Sequence, residues 1–317
     1  MKKKDFRIAL MAFGGNALLR SNEKGLQSEQ NRHAEEAAAL MIDIVERGFE
    51  LVVVHGNGPQ VGNCILRIEE SITKIPPSSL DVCVSETQGS MGYMLERALR
   101  NVLKHRKIRK DVVTLISQVL VDPSDPAFEN PTKPIGPFFS IYRAHELEKQ
   151  KGWTLKEDAG RGYRKVVASP RPKKILSTSV VRKLLKNGNI LIAAGGGGIP
   201  VFIDEKGSYV GIEAVIDKDY SASLLATDLN VDIYINLTGV DRIYLNFGKR
   251  NQRGIPVMTL KEARKYSRAG EFPPGSMGPK VAAAAEFVEE TGREVLITSA
   301  EALPRALDGK DGTRIVP

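Results

Sequence analysis

The chain has 317 residues, 42% hydrophobic, 26% charged and 6% aromatic, with a formal charge of +8, enough apolar content for a large core in one big α/β domain or two smaller ones. Ile8–Phe13, the apolar run behind the basic start, is too short for a signal-peptide core, and no later run approaches a membrane span, so a soluble, cytoplasmic protein is expected. Cys64 and Cys83 form no Cys-x-x-Cys, which argues against a disulfide framework and a zinc site.

The positive charge asks for an anionic partner: nucleic acid, a membrane surface or small anions. Its densest cluster, Lys104–Lys110, ends a predicted helix and contains no aromatic residue. With so few stacking platforms it reads as a solvated helix end, and neither nucleic acid nor membrane is expected as a partner.

In chain order, the first predicted strand is Arg7–Phe13, which stops at Gly14-Gly15-Asn16. A glycine pair there lets backbone N–H groups come close to a bound group, although a tight turn would look the same. Ala34, Ala38, Met41, Ile42 and Val45 recur at helical spacing and predict a helix over Ser28–Arg47, with Gly48 as its stop. The strand Glu50–His55 leads into Gly56-Asn57-Gly58, repeating the order strand, glycine-rich loop, helix. Its apolar run between two helices predicts a parallel sheet covered on both faces. His55 has no second histidine near it in sequence and is given a packing or hydrogen-bonding role. A helix is predicted from Glu86 to about His105, with Thr87 and Gln88 at its start to orient a ligand or to cap, and a third strand over Val112–Val121.

Residues 122–172 change texture, with prolines at 123, 126, 131, 134, 137, 170 and 172. So long a connection inside a compact fold suggests an inserted lid, with Lys133 held stiffly between Pro131 and Pro134 and able to swing onto an anion. The second half resumes the α/β rhythm with helix Ser179–Asn187 and strand Ile190–Ala194, followed by Gly195–Gly198, a strand end suited to close approach of a phosphate chain. Strand Ile233–Leu237 follows, then Tyr244, Phe247 and Gly248 in a loop fit for an aromatic ring, helix Thr259–Ala269, Met277 to Lys280 at a helix start, and a last strand Glu294–Ile297.

Asp217-Lys218-Asp219 stands where the apolar Ala214–Ile216 gives way to a helix pattern with Leu224, Leu225 and Leu229. Two carboxylates around an ammonium at a helix amino end form an anion site, unless Asp219 is only a cap and Lys218 a solvated neighbour. No Walker-type phosphate loop, Gly-x-Gly-x-x-Gly or Gly-x-Ser-x-Gly occurs, which disfavours the common nucleotide-binding and hydrolase classes. Glycine-rich strand ends with lysines at helix starts suit phosphoryl transfer, where positioning and charge neutralisation supply most of the catalysis.

Taken together, Gly14–Leu18, His55–Gly62, Thr87–Gly89, Asn130–Pro137, Glu157–Gly162, Gly195–Pro200, Val210–Asp219, Leu237–Asp241, Asn246–Gly248 and Gly275–Lys280 resemble the carbamate kinases of the amino acid kinase superfamily. Met11-Ala12-Phe13 and Cys64-Ile65 depart from the family's usual residues, on predicted packing faces. The resemblance implies a single domain over 1–317: a three-layer α/β/α sandwich with a mostly parallel sheet and a small protruding subdomain over 122–172, the acceptor mainly on the side of 1–121 and the nucleotide on that of 173–317. It implies a homodimer that interconverts ATP plus carbamate with ADP plus carbamoyl phosphate, using Mg2+ and serving arginine metabolism or related pathways in either direction.

By position, Gly14, Gly15, Asn16, Gly56, Asn57 and Gly58 would cradle the acceptor. Gly196, Gly197, Tyr244, Met277 and Pro279 would meet the nucleotide. Lys133, Lys218 and Lys280 would meet the phosphoryl, Asp217 and Asp219 would hold the lysines, and no protein metal ligands are assigned. A cradle made only of backbone N–H groups and amides is expected to reject acids larger than carbamate. The alternatives are another carboxylate-acting kinase of the acetylglutamate type and a nucleotide sensor without turnover.

Overall fold

The computed structural model describes residues 6–14, 23, 25–158, 160–273 and 275–317. The first half runs β1 (Arg7–Phe13), α1 (Gln27–Glu46), β2 (Phe49–His55), α2 (Gly58–Ser71), α3 (Leu80–His105), β3 (Val112–Thr114) and β4 (Gln118–Leu120). Then come β5 (Lys133–Phe139), α4 (Ile141–Lys151), β6 (Leu155–Glu157), β7 (Tyr163–Val167) and β8 (Lys174–Ile175). The second half starts with α5 (Thr178–Lys186), β9 (Ile190–Ile192), a 3-10 turn at Gly195–Gly197, β10 (Ile199–Ile203), β11 (Tyr209–Gly211), α6 (Lys218–Leu229) and β12 (Ile233–Leu237). It closes with β13 (Ile243–Leu245), β14 (Arg253–Ile255), β15 (Val257–Thr259), α7 (Leu260–Arg268), α8 (Met277–Thr291), β16 (Val295–Thr298), α9 (Leu303–Leu307) and β17 (Thr313–Val316).

The central sheet has eight strands in the order β15-β17-β16-β12-β1-β2-β9-β3, all pairs parallel except β16 with β17. The two-residue period of a strand explains why β1 is apolar from Ile8 to Phe13. Ile8, Leu10 and Ala12 enter one core together with residues of α5, α6 and α8. Ala9, Met11 and Phe13 enter the opposite core with residues of α1, α3 and α9. These are the two faces of an α/β/α sandwich, and the bulky Met11 and Phe13 are accommodated on one of them. Cys64 and Ile65 also pack, in a smaller core beneath the 122–172 segment.

Tyr244, expected in a loop, lies in strand β13, and two larger elements differ from expectation. The helix expected to open at Glu86 begins at Leu80, so Thr87 and Gln88 lie inside α3, both 1% exposed. Val112–Val121 is two short strands in different sheets, β3 in the central sheet and β4 in a four-stranded sheet ordered β11-β10-β4-β8. The break falls at Ser117, whose Oγ accepts the Ala194 N–H at 3.0 Å and whose N–H donates to Gln88 Oε1 at 2.8 Å. Backbone groups that leave one ladder there find side-chain partners before the chain joins the next.

Within 122–172 the chain makes its own antiparallel sheet, β5-β7-β6, with α4 beside it. It rests on α2 through backbone. A Cβ added to Gly62 would lie 1.9 Å from the Gly136 Cα, and Gly136 itself has φ +74°. Gly62→Ala is therefore expected to push β5 off α2 at a cost of about 1–3 kcal/mol, read as a shift in denaturant unfolding. An unchanged midpoint would mean that the two backbones part freely.

Candidate active site

The carboxyl ends of β1, β2 and β12 share one edge of the sheet, with Phe13 level with His55 and Ala12 level with Asn236. Ligands of open α/β sheets bind beyond such an edge. Here α6 starts at Lys218, with Asp217 as its N-cap, the Oδ1 accepting the Asp219 N–H at 3.0 Å. So it is Asp217 that caps. Asp219 turns inward instead.

Asp219 is the centre of a buried cluster. Its Oδ1 accepts from Lys218 Nζ at 2.6 Å and from Asn236 Nδ2 at 2.8 Å, and Lys280 Nζ reaches Oδ1 and Oδ2 at 3.2 and 3.1 Å. Lys280 also donates to Asn236 Oδ1 at 3.2 Å, and Asn236 Nδ2 to Tyr234 Oη at 3.1 Å. Lys218 and Asp219 are only 7% and 5% exposed. Burial works to raise the Asp219 pKa, but Lys218 and Lys280 outweigh it and hold the carboxyl well below its usual range. Burial pulls Lys218 down to about 8, against the pull of Asp219. One carboxylate thus holds two ammonium groups, and the cluster keeps net positive charge.

The third lysine comes from the inserted segment. Lys133, first residue of β5, donates to Asp217 Oδ2 at 2.5 Å. Burial raises the Asp217 pKa, yet the Lys133 ammonium keeps it below the ordinary value. Three ammonium groups from β5, α6 and α8 therefore gather on two carboxylates two residues apart in sequence. Lys218 is the first residue of α6 and Lys280 lies in the first turn of α8, where the helix dipole adds to the positive field.

The glycine-rich turn is built for close packing inside the protein. A Cβ on Gly195 would lie 2.3 Å from His55 Nε2, one on Gly196 2.3 Å from Asn57 Nδ2, and one on Gly197 2.3 Å from the Ile216 carbonyl oxygen. Gln88 Nε2 donates to the Gly195 carbonyl at 2.8 Å, Ser221 Oγ to the Gly197 carbonyl at 2.6 Å, and Asn57 Nδ2 to Thr87 Oγ1 at 2.9 Å. Thr87 and Gln88 thus tie the Gly56–Gly58 loop to the Gly195–Gly197 turn from the middle of α3. His55 is buried, and its desolvation lowers the pKa to about 4, leaving a neutral ring whose Nδ1–H donates to the Gly56 carbonyl at 3.1 Å. Among the described residues no proton-transfer partner is hydrogen-bonded to it.

Gly14, Gly56, Asn57 and Gly58 stand at this edge, while Gly15 and Asn16 lie outside the described residues. Beside Gly58 stands a cation that the expected cradle of N–H groups and amides did not include: Arg164 Nη2 comes within 3.9 Å of a Cβ position on Gly58. Sequence spacing could not reveal this, because Arg164 arrives on the inserted sheet. Tyr244 and Met277 are partly buried; Tyr244 Oη donates to Asp241 Oδ1 at 2.7 Å. Phe247 is 59% exposed beside Tyr244, at 6.1 Å between rings. Among the described residues no group of three His, Cys, Asp or Glu is placed to hold a metal ion.

Residues 7–299 match the Amino acid kinase family, and the chain is 45% identical to carbamate kinase of Pyrococcus horikoshii over 310 residues, 97% of this chain and 98% of that one. The chain belongs to the amino acid kinase family, in its carbamate kinase branch. Among solved structures, carbamate kinase from Giardia lamblia bound to citric acid matches with TM-score 0.94 at 41% identity, covering 99% of each chain. The same enzyme bound to AMP-PNP matches with TM-score 0.90, again at 41% identity and 99% of each chain. Such likeness over nearly the full length carries the α/β/α amino acid kinase fold.

Proposed function

We propose that this protein is a carbamate kinase, interconverting ATP plus carbamate with ADP plus carbamoyl phosphate. The observation that carries the reading is the convergence of Lys133, Lys218 and Lys280 on Asp217 and Asp219 at the carboxyl edge of the sheet. The carbamate kinases among its relatives support it.

Carbamate is already an oxyanion, so the reaction asks for no strong base, in keeping with a buried neutral His55. The protein has to gather anions that repel one another and neutralise charge on the moving phosphoryl. In this reading Lys218 and Lys280 sit on the phosphoryl oxygens, oriented by Asp219. Asp217 positions Lys133, and the acceptor lies by Gly14, Gly56, Asn57 and Gly58. The nucleotide lies toward Gly196, Gly197, Tyr244, Met277 and Pro279. Mg2+ carried in with the nucleotide would neutralise charge on the phosphates, alongside Lys133, Lys218 and Lys280. Segment 122–172 acts as a lid that brings Lys133 to the site on closing. The working form is a cytoplasmic homodimer, with no nucleic-acid or membrane partner. Among the described residues no helix is long and apolar enough to cross a membrane.

A coupled assay of ATP formation from carbamoyl phosphate and ADP tests the reading, and a folded protein with no ATP above the blank would overturn it. Initial rates of ADP formation with carbamate, acetylglutamate and aspartate then separate this reading from its rival. If either amino acid derivative matched carbamate in kcat/KM, a broader amino acid kinase would replace it.

The depressed Lys218 pKa also sets a pH limit. The ammonium form is the one that neutralises phosphoryl charge, so kcat/KM in the ATP-forming direction is expected to fall as pH rises through about 8. Stability should move oppositely. Between the folded value near 8 and the ordinary 10.5, the unfolded chain binds more protons than the folded one, so this lysine's contribution to stability rises with pH. A kcat/KM profile flat to pH 10, on the far side of that folded value of about 8, would show that the charge on Lys218 is not used.

A further inference from the structure

We infer that Arg164 is an acceptor-binding residue, whose guanidinium, carried in by the inserted segment, holds the carboxylate oxygens of carbamate against the amino end of α2. The inference rests on the carbamate kinase reading and names a cation that the expected acceptor cradle lacked.

Two of the three guanidinium nitrogens are used as anchors. Nε donates to the Gly136 carbonyl at 2.9 Å and Nη1 to Asp158 Oδ2 at 3.1 Å, while the group lies 5.2 Å over the Phe138 ring. The third nitrogen, Nη2, takes part in no hydrogen bond among the described residues and faces Gly58, the first residue of α2. The side chain is 12% exposed, so the group is held rather than waving in solvent. A surface arginine would not need three separate partners to be fixed.

The anchor does not cancel the charge. Asp158 is shared with Arg161, whose Nη2 lies 3.5 Å from the same oxygen, so one carboxylate faces two guanidinium groups. On the other side, α2 starts without a side-chain cap, the Asn57 Nδ2 donating to Thr87 Oγ1 instead. The Gly58 N–H at the start of α2 and a positive guanidinium therefore come to one place, a pairing that suits an oxyanion with two coplanar oxygens. The lysines meet elsewhere, on Asp217 and Asp219, which leaves the phosphoryl to them and the carboxylate to Arg164. The Gly136 carbonyl that Arg164 holds belongs to the residue resting on Gly62, so the contact that seats the inserted sheet on α2 also places the guanidinium.

The test is steady-state kinetics of ATP formation with Arg164→Gln, Arg164→Lys and Arg164→Gly, varying each substrate at saturation of the other. Losing one charge-assisted hydrogen bond should raise KM for carbamoyl phosphate on the order of tenfold or more, with KM for ADP within about twofold of wild type. Arg164→Lys keeps the charge without the planar fork and should recover only part of the loss. Added guanidinium at millimolar concentration should restore carbamoyl phosphate turnover to Arg164→Gly and do nothing for the lysine variant. Equal rises in both KM values, or an unchanged KM for carbamoyl phosphate in a folded Arg164→Lys protein, would overturn the inference and make Arg164 a structural anchor only. Wild-type protein that forms no ATP would instead strike the carbamate kinase reading itself.

Discussion

Lys218→Ala and Lys280→Ala are each expected to lower kcat on the order of 10²-fold or more, the loss seen when one preorganised charge-stabilising donor is removed from a dry site. Both ammonium groups are fixed before any ligand arrives. Lys218 is held at 2.6 Å and Lys280 at 3.1 Å by Asp219, and both stand in the first turn of a helix whose dipole adds to their field. Fixed charges cost no reorganisation as negative charge spreads over the phosphoryl oxygens. KM should move less than kcat, since the effect is largest in the transition state. Each variant leaves one lysine on Asp219, so the remaining pair stays balanced and the fold should persist. A loss below about threefold for both variants, well under 1 kcal/mol, would remove them from the mechanism.

Asp219→Ala is expected to act on stability instead, at about 3–5 kcal/mol, because it strands buried charges that had one shared partner. Lys218 is 7% exposed, and Lys280 and the Asn236 amide both spend hydrogen bonds on the same carboxylate. With Asp219 gone, Lys218 loses the attraction that opposes its desolvation. Its pKa should then fall further below the present value of about 8. Asp219→Asn keeps an acceptor oxygen and should cost less than Asp219→Ala. Urea unfolding of the three proteins at one pH measures the series. An Asp219→Ala protein within about 1 kcal/mol of wild type would show that the lysines reach water and that the cluster is not a buried network.

Most of the layer architecture was legible in the residues. β1 and β12 fall within the predicted bounds, because a strand buried on both faces is a continuous apolar run ended by glycine or a polar turn. α3 begins at Leu80, six residues before the start that the sequence pattern predicts at Glu86. Its buried stripe includes Thr87 and Gln88 among Leu80, Cys83, Val84 and Met91. Polar residues in a core-facing stripe break the pattern that periodicity detects, and they are there because two loops need their hydrogen bonds. The division of Val112–Val121 escaped for a similar reason, since one apolar stretch looks the same whether it lies in one sheet or two.

The sequence by itself determined β1, β2, β9, β12 and β16 of the central sheet, the glycine-rich strand ends and the candidate lysines, since each depends on neighbours within a few positions. Only the tertiary structure decided how these meet. Lys133 comes to Asp217 across 84 residues, and Lys280 to Asp219 across 61. Arg164 reaches the start of α2 because β7 pairs with β5 and β5 rests on Gly62. The glycines of Gly195–Gly197 also proved to make room for His55, Asn57 and Ile216. Local patterns report what a residue does to its own backbone, whereas a charge cluster or a close backbone contact depends on segments whose separation in sequence says nothing of their distance in space.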